Sequence, residues 1–170
     1  MYTKRFFIIF LALLLVATIF LSTACSNFSS PSVDYWTKAV PIVNNYIEKG
    51  SRPFAEIWVE VVPAIQSGDY TAYERFFPAV MEFYPYVGEA ILELTKLNPP
   101  TSETAQWQQL QLEEWSLLSE ALYMYMRCWD YKSGTLIGTD EDLGAADEKM
   151  NESHVPGKEA DRLQIELLKK

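Results

Sequence analysis

The chain has 170 residues, the size of one ordinary domain, and 49% of them are hydrophobic, which favours a folded protein over a disordered one. Its 14 basic and 23 acidic side chains give a net charge of -9. Because nucleic-acid binding needs clustered Lys and Arg, this acidic balance excludes nucleic acid as an expected partner.

The N-terminus has the three parts of a secretory signal peptide. Lys4 and Arg5 supply the positive start, residues 6–21 form an uncharged apolar run, and small residues follow at 22–24. The apolar run has 16 residues. About 20 residues are needed to span a bilayer comfortably. We therefore predict a leader over residues 1–24.

The residues before Cys25 resemble the lipobox of bacterial lipoproteins, since residues 21–25 are Leu-Ser-Thr-Ala-Cys. The resemblance implies that Cys25 becomes the new N-terminus, carries acyl chains such as palmitate, and holds the protein on the extracytoplasmic side of the cell membrane or outer membrane. That family favours Leu three residues before the Cys, where this chain has Ser22. Two other interpretations stay open: ordinary cleavage after Ala24 with release of the protein, and an uncleaved anchor.

Residues 25–32 are predicted to form a short polar tether between the lipid and the folded domain. The chain from Cys25 onward keeps 12 of the 14 basic side chains and all 23 acidic ones, so its net charge is -11. Such an acidic domain lacks the basic residues that attract a protein to anionic lipid. We expect membrane binding to depend on the acyl chains, which contribute about 0.8 kcal/mol for each buried CH₂ group.

Residues 33–170 predict an all-α domain, because apolar residues recur at steps of three and four and no alternating strand pattern occurs. We expect an antiparallel four- or five-helix bundle, since the connection at residues 98–101 is short. The predicted helices cover residues 33–49, 53–66, 70–97, 102–131 and 140–170. Their expected ends are Gly50, Gly68, Pro99 and Gly134, with a break in the last helix at Pro156 and Gly157.

Four prolines, Pro41, Pro63, Pro78 and Pro85, fall inside the first three predicted helices. An interior proline costs about 3 kcal/mol and kinks a helix. All four lie on polar faces, opposite the apolar stripes, where water can reach the carbonyl that loses its partner. We predict kinked helices that bend around the core. The alternative, that residues 70–97 form two helices, stays open.

The end of the third predicted helix carries a second pattern. Leu92, Leu94 and Leu97 precede Pro99 and Pro100, and a long amphipathic helix follows. This arrangement resembles uncharacterised all-helical bacterial lipoproteins. The resemblance implies the helical fold and no particular function.

Residues that carry enzyme chemistry are sparse. His154 is the only histidine, is predicted to lie in a surface loop, and leaves too few ligands for a zinc site. Cys128 is predicted to be a small buried hydrophobe, with a reactive thiol as the alternative. The acids at 140–142 do not fit a calcium loop and suit a helix N-terminus. We expect no enzyme, no metal and no cofactor. No pair stands out among the candidate acids Glu56, Glu60, Glu82, Glu89, Glu113 and Glu114.

Aromatic residues are abundant, with 5 Trp, 10 Tyr and 9 Phe in the chain. Most suit a bundle core, and Tyr84, Tyr86, Tyr123 and Tyr131 lie off the main stripes as candidate exposed contacts. We predict a lipid-anchored extracytoplasmic protein with a non-enzymatic binding or scaffolding role toward an unknown envelope protein. The alternative is a module that binds a small apolar or aromatic ligand in a pocket between the two long helices, residues 70–97 and 102–131.

Overall fold

The computed structural model describes residues 31–167, which lie in one compact unit. The predicted leader and Cys25 lie outside the described residues. Five α-helices follow in order: α1 Pro31–Tyr46, α2 Arg52–Gln66, α3 Tyr73–Thr95, α4 Ser102–Arg127 and α5 Asp140–Leu167. A π-helical turn, Ile47–Ser51, joins α1 to α2, and a 3₁₀ turn, Tyr70–Ala72, precedes α3. The predicted all-α bundle is confirmed.

The first predicted helix does not end at Gly50. The backbone stays helical through Ser51 and Arg52, so α1, the π turn and α2 form one continuous helical stretch. Gly50 is buried against α3, and a Cβ atom there would lie 2.9 Å from the Phe83 ring and 3.0 Å from Tyr86 Cβ. Glycine therefore serves close packing at this position rather than helix termination. The helix also begins at Pro31, inside the predicted tether.

The third helix is single, and the two-helix alternative is wrong. α3 runs through Pro78 and Pro85 without interruption, and both prolines are exposed, as are Pro41 and Pro63. The opposite face of α3 is buried in the core, including Phe83. An interior proline is tolerated here because its unpaired carbonyl faces water.

The fourth helix is capped at its start and ends earlier than expected. Thr101 Oγ1 accepts the Thr104 amide at 3.2 Å, and Thr104 Oγ1 accepts the Thr101 amide at 3.1 Å, which is a capping box. After Arg127 the chain forms an antiparallel hairpin of two short strands, β1 Trp129–Asp130 and β2 Thr135–Leu136. The expectation of no strand is wrong for this segment, because strands of two residues show no alternation.

The fifth helix is not broken at Pro156 and Gly157, and both residues are buried within it. Gly157 lies against α4, where an added Cβ would be 2.6 Å from the Glu114 carboxyl carbon. His154 consequently lies on a helix, half-buried, and not in a surface loop. Burial lowers the pKa of this imidazole, and the nearby Lys158 ammonium lowers it further.

The core is largely aromatic. Trp107, Trp115 and Phe77 have no exposed surface. The Trp107 ring lies 4.7 Å from the ring of Trp36, and the Trp115 ring lies 4.9 Å from that of Tyr46. These contacts attach α1 to α4. Cys128, the residue that follows α4, has only 3% of its surface exposed, which fits the predicted buried hydrophobe.

Candidate functional site

The antiparallel order of α3 and α4 gives the bundle two distinct ends. Phe76, near the start of α3, lies 5.1 Å ring to ring from Tyr125, near the end of α4. Gln108, near the start of α4, donates to the carbonyl of Leu94 at 2.8 Å, near the end of α3. We call the end formed by residues 67–73 and 128–142 the hairpin end.

The opposite end carries the start of the described chain. Tyr35 of α1 donates to Gln108 Oε1 at 3.0 Å, which places the first turns of α1 beside the start of α4. We call this end, with Pro31 and residues 96–101, the N-terminal end. α5 runs antiparallel to α4, since Tyr125 bonds to Asp147 early in α5 and Glu114 faces Gly157 later in it.

A series of ring contacts supports the hairpin end. Trp129 of β1 stacks on Phe77 at 4.8 Å, Phe77 contacts Tyr73 at 5.6 Å, and Tyr73 stacks with Tyr70 at 6.2 Å. Burial raises the pKa of the Tyr73 hydroxyl, and the Asp140 carboxylate raises it further, so this phenol stays neutral. The series connects the hairpin through the start of α3 to the 3₁₀ turn at Tyr70.

The tip of the hairpin is fixed by Asp130. Its carboxylate accepts the Ser133 hydroxyl at 2.7 Å and the Lys132 amide at 2.9 Å. These bonds lower the pKa of Asp130, with the Ser133 hydroxyl as the larger cause. Gly134 has φ of +67°, a backbone region that favours glycine. The turn holds Tyr131 outward, with 41% of its surface exposed.

The start of α5 is a cap. Asp142 accepts the Thr139 amide at 2.9 Å and its hydroxyl at 2.7 Å, while Thr139 Oγ1 accepts the Asp142 amide at 3.2 Å. The bond from the Thr139 amide is the main cause of the lowered pKa of Asp142. Within residues 31–167, no group of three or more His, Cys, Asp or Glu side chains is placed to hold a metal ion.

Three apolar side chains project from the hairpin end. Tyr70, in the 3₁₀ turn before α3, is 69% exposed, Ile137, just after β2, is 62% exposed, and Tyr131, in the hairpin turn, is 41% exposed. Acidic residues predominate around them, with Asp69, Asp130, Asp140, Glu141 and Asp142 against Arg127 and Lys132. Exposed aromatic and aliphatic side chains on a rigid base, with a polar surround, are typical of protein-binding surfaces.

The four predicted contact tyrosines do not form one surface. Tyr131 lies at the hairpin end, and Tyr123 lies on the outer face of α4, 52% exposed. Tyr84 and Tyr86 are half-buried on α3, and Tyr86 lies against the π turn at Gly50. Tyr70 and Ile137 were not among the contact residues predicted from the sequence. Tyr70 lies close to Gly68, and Ile137 precedes Gly138. An apolar side chain within a turn sequence was the signal that could have identified them.

Two depressions in the described surface lie away from the pocket of the alternative prediction. The larger one is an open groove of about 680 Å³ between α1 and the end of α3, lined by Lys38, Ile42, Asn45 and Leu97, among others. A second, of about 290 Å³, adjoins it near Pro31. Both belong to the N-terminal end, and neither lies between α3 and α4.

Comparison with known proteins gives no relative, since no protein-family model, no curated protein and no solved structure matches the chain. Among the helices of residues 31–167, none has the length and apolar character needed to cross a membrane. Function is therefore inferred from the residues of this chain alone.

Proposed function

We propose that this protein is a non-enzymatic, lipid-anchored binding or scaffolding protein on the extracytoplasmic side of the cell envelope. It engages another envelope protein through the hairpin end. The observation that carries the proposal is the exposure of Tyr70, Tyr131 and Ile137 on a base of stacked rings, at the end of the bundle opposite Pro31. Exposed apolar side chains surrounded by polar residues are typical of protein interaction sites.

The position of Cys25 supports this orientation. Pro31 follows Cys25 by only six positions. Six extended residues span at most about 20 Å. Because Pro31 lies at the N-terminal end, acylation of Cys25 would keep that end near the lipid. The 26 residues of α4 rise about 39 Å, so the hairpin end would project away from the membrane toward a partner.

Charge indicates the chemistry of the partner. The hairpin end is mostly acidic at its rim, and the chain from Cys25 onward has a net charge of -11. A complementary surface is basic around an apolar centre. Opposite charges on the two surfaces speed association. This attraction weakens as salt is added, because at physiological ionic strength salt screens exposed charges that lie more than about 8 Å apart.

The test is photocrosslinking of the full chain in its native membranes, with a photoreactive amino acid at Tyr131. The matched position is Leu92, which is 59% exposed near the other end of α3. We expect a discrete adduct from position 131 only, with the attachment site on a basic, apolar surface of the partner. Glu141→Lys should weaken that adduct, and Glu148→Lys, on the same helix, should leave it unchanged. Equal adducts from both positions, or no adduct from position 131, would contradict the proposal.

A further inference from the structure

One polar cluster lies within the otherwise aromatic packing between the π turn, α4 and α5. We infer that Glu114 of α4 and Asp161 of α5 form a protonation-dependent clasp, which holds the C-terminal half of α5 on α4 when the carboxyls are neutral and loosens it when both ionise. The inference concerns residues away from the hairpin end and does not depend on the proposed function.

The geometry of Glu114 is that of an interhelical contact. Its carboxyl group packs on the backbone of Gly157, where a Cβ would lie 2.6 Å from both Cδ and Oε1. The buried Gln111 side chain donates to Glu114 Oε2. The absence of a side chain at Gly157 therefore brings the carboxyl directly against α5, where any change in its hydration alters the helix contact.

The groups facing this carboxyl provide no positive charge. From α5 the group that acts on it is Asp161, one turn beyond Gly157. At the end of α1 the carboxyl acts on Tyr46, whose hydroxyl is hydrogen-bonded to Ser51 of the π turn. From α4 it faces the neutral amide of Gln111. In residues 31–167 no Lys or Arg forms an ion pair with either acid.

Such surroundings favour the neutral forms of both acids. Burial raises the pKa of Asp161 to about 6. Burial, and to a lesser extent the charge on Asp161, raise the pKa of Glu114 to about 8, against the opposing hydrogen bond from Gln111. Asp161 ionises first as the pH rises, and ionisation of Glu114 then places two like charges between α4 and α5.

Tyr46 and His154 complete the titratable surroundings. Burial raises the pKa of Tyr46 well above its ordinary value, with the Glu114 charge as a further cause, so this phenol stays neutral through the relevant pH range. On α5, His154 lies about one turn before Gly157, and Lys158 is the residue after Gly157. The pKa of His154 is lowered by burial and by Lys158, so its imidazole is neutral and offers no compensating charge when Glu114 ionises.

The experiment is hydrogen exchange of the folded domain, followed peptide by peptide from pH 5 to pH 9 after correction for the intrinsic exchange rate. Exchange is read in residues 155–167 and compared with residues 140–150 of the same helix. We expect protection of residues 155–167 to fall at least tenfold between pH 6 and pH 9, with a smaller change in residues 140–150.

Two variants distinguish the clasp from a general effect of pH. Glu114→Gln is neutral at every pH and should abolish most of the pH-dependent loss of protection. Glu113→Gln, at the exposed neighbouring position, should leave it unchanged. If Glu114→Gln folds poorly, Asp161→Asn provides a second test. It should reduce the loss of protection, because only one charge can then form between α4 and α5, and it should shift the remaining loss to lower pH, because the charge that opposes ionisation of Glu114 is gone. Equal pH dependence in the wild type, Glu114→Gln and Asp161→Asn would overturn the inference.

Discussion

Trp129 stacks on Phe77 with ring centroids 4.8 Å apart and ring planes 18° from parallel. This contact attaches the hairpin to α3 and places Tyr131 at its tip. Because Trp129 is buried, Trp129→Ala should lower the free energy of unfolding by about 3–5 kcal/mol. Urea denaturation measures the change. Tyr131→Ala should lower the free energy of unfolding by no more than about 1 kcal/mol, since 41% of the Tyr131 surface is already exposed. Equal losses in the two variants would contradict this role for Trp129.

Gly50 and Gly88 give a matched pair of helical glycines. A Cβ at Gly50 would lie 2.9 Å from the buried Phe83 ring, whereas nothing lies within 4 Å of a Cβ at Gly88. Gly50→Ala should therefore destabilise the fold by about 1–3 kcal/mol through overpacking. Gly88→Ala should stabilise it by about 0.5–1 kcal/mol, because alanine favours helix. Thermal unfolding of both variants checks the signs, and a stabilising Gly50→Ala would show that the π turn is not tightly packed on α3.

The stability of the domain should fall as the pH rises from about 5 toward 8. The pKa of Glu114 is raised to about 8 and that of Asp161 to about 6, so the folded state holds protons in this range that the unfolded state has released. Stability from a raised pKa is fully present below the unfolded value and is lost as the pH passes the folded value. Urea midpoints at pH 5 and pH 8 measure the fall. Glu114→Gln should reduce this fall in stability. If the fall is unchanged in Glu114→Gln, groups other than Glu114 cause it.

Attachment of the protein to the membrane is predicted to depend on Cys25. Cys25→Ser should abolish lipid labelling and release the processed protein from membranes, because the described helices offer no membrane span and acyl chains are the proposed attachment. Fractionation with labelled fatty acid measures both effects. Ser26→Ala is the adjacent control and should keep labelling and membrane retention. Membrane retention of a normally processed Cys25→Ser protein would refute the acyl anchor.

The helices were predictable because each buries one stripe of apolar residues, and that stripe continues across exposed prolines in α1, α2 and α3. Helix ends were less predictable where a small residue serves packing. Glycine is typical of helix ends, so Gly50 and Gly157 were predicted to end or break helices. In the structure, the missing side chain at Gly50 leaves room for Phe83, and that at Gly157 leaves room for Glu114. Sequence spacing along one helix does not reveal which partner will lie opposite a glycine.

The candidate sites were only partly predictable for the same reason. Tyr131 was identified because it lies off the apolar stripe of its segment, and the hairpin exposes it. Tyr84 and Tyr86 share that signal but are half-buried against neighbouring residues. Glu114 could not be distinguished from other acids, because its surroundings come from the end of α1 and from α5, which are distant in the chain. Tertiary contacts decide burial, and burial decides the pKa.

The central claim is that the hairpin end binds a partner protein. The most direct measurement is the yield of the crosslinked adduct from position 131 in intact membranes, compared between Ile137→Ser and Val155→Ser chains. Val155 is 73% exposed on α5, away from the hairpin end. We expect Ile137→Ser to lower the yield about five- to thirtyfold, because it removes an apolar interface contact of about 1–2 kcal/mol. Val155→Ser should leave the yield unchanged. Equal yields from the two chains would contradict the claim.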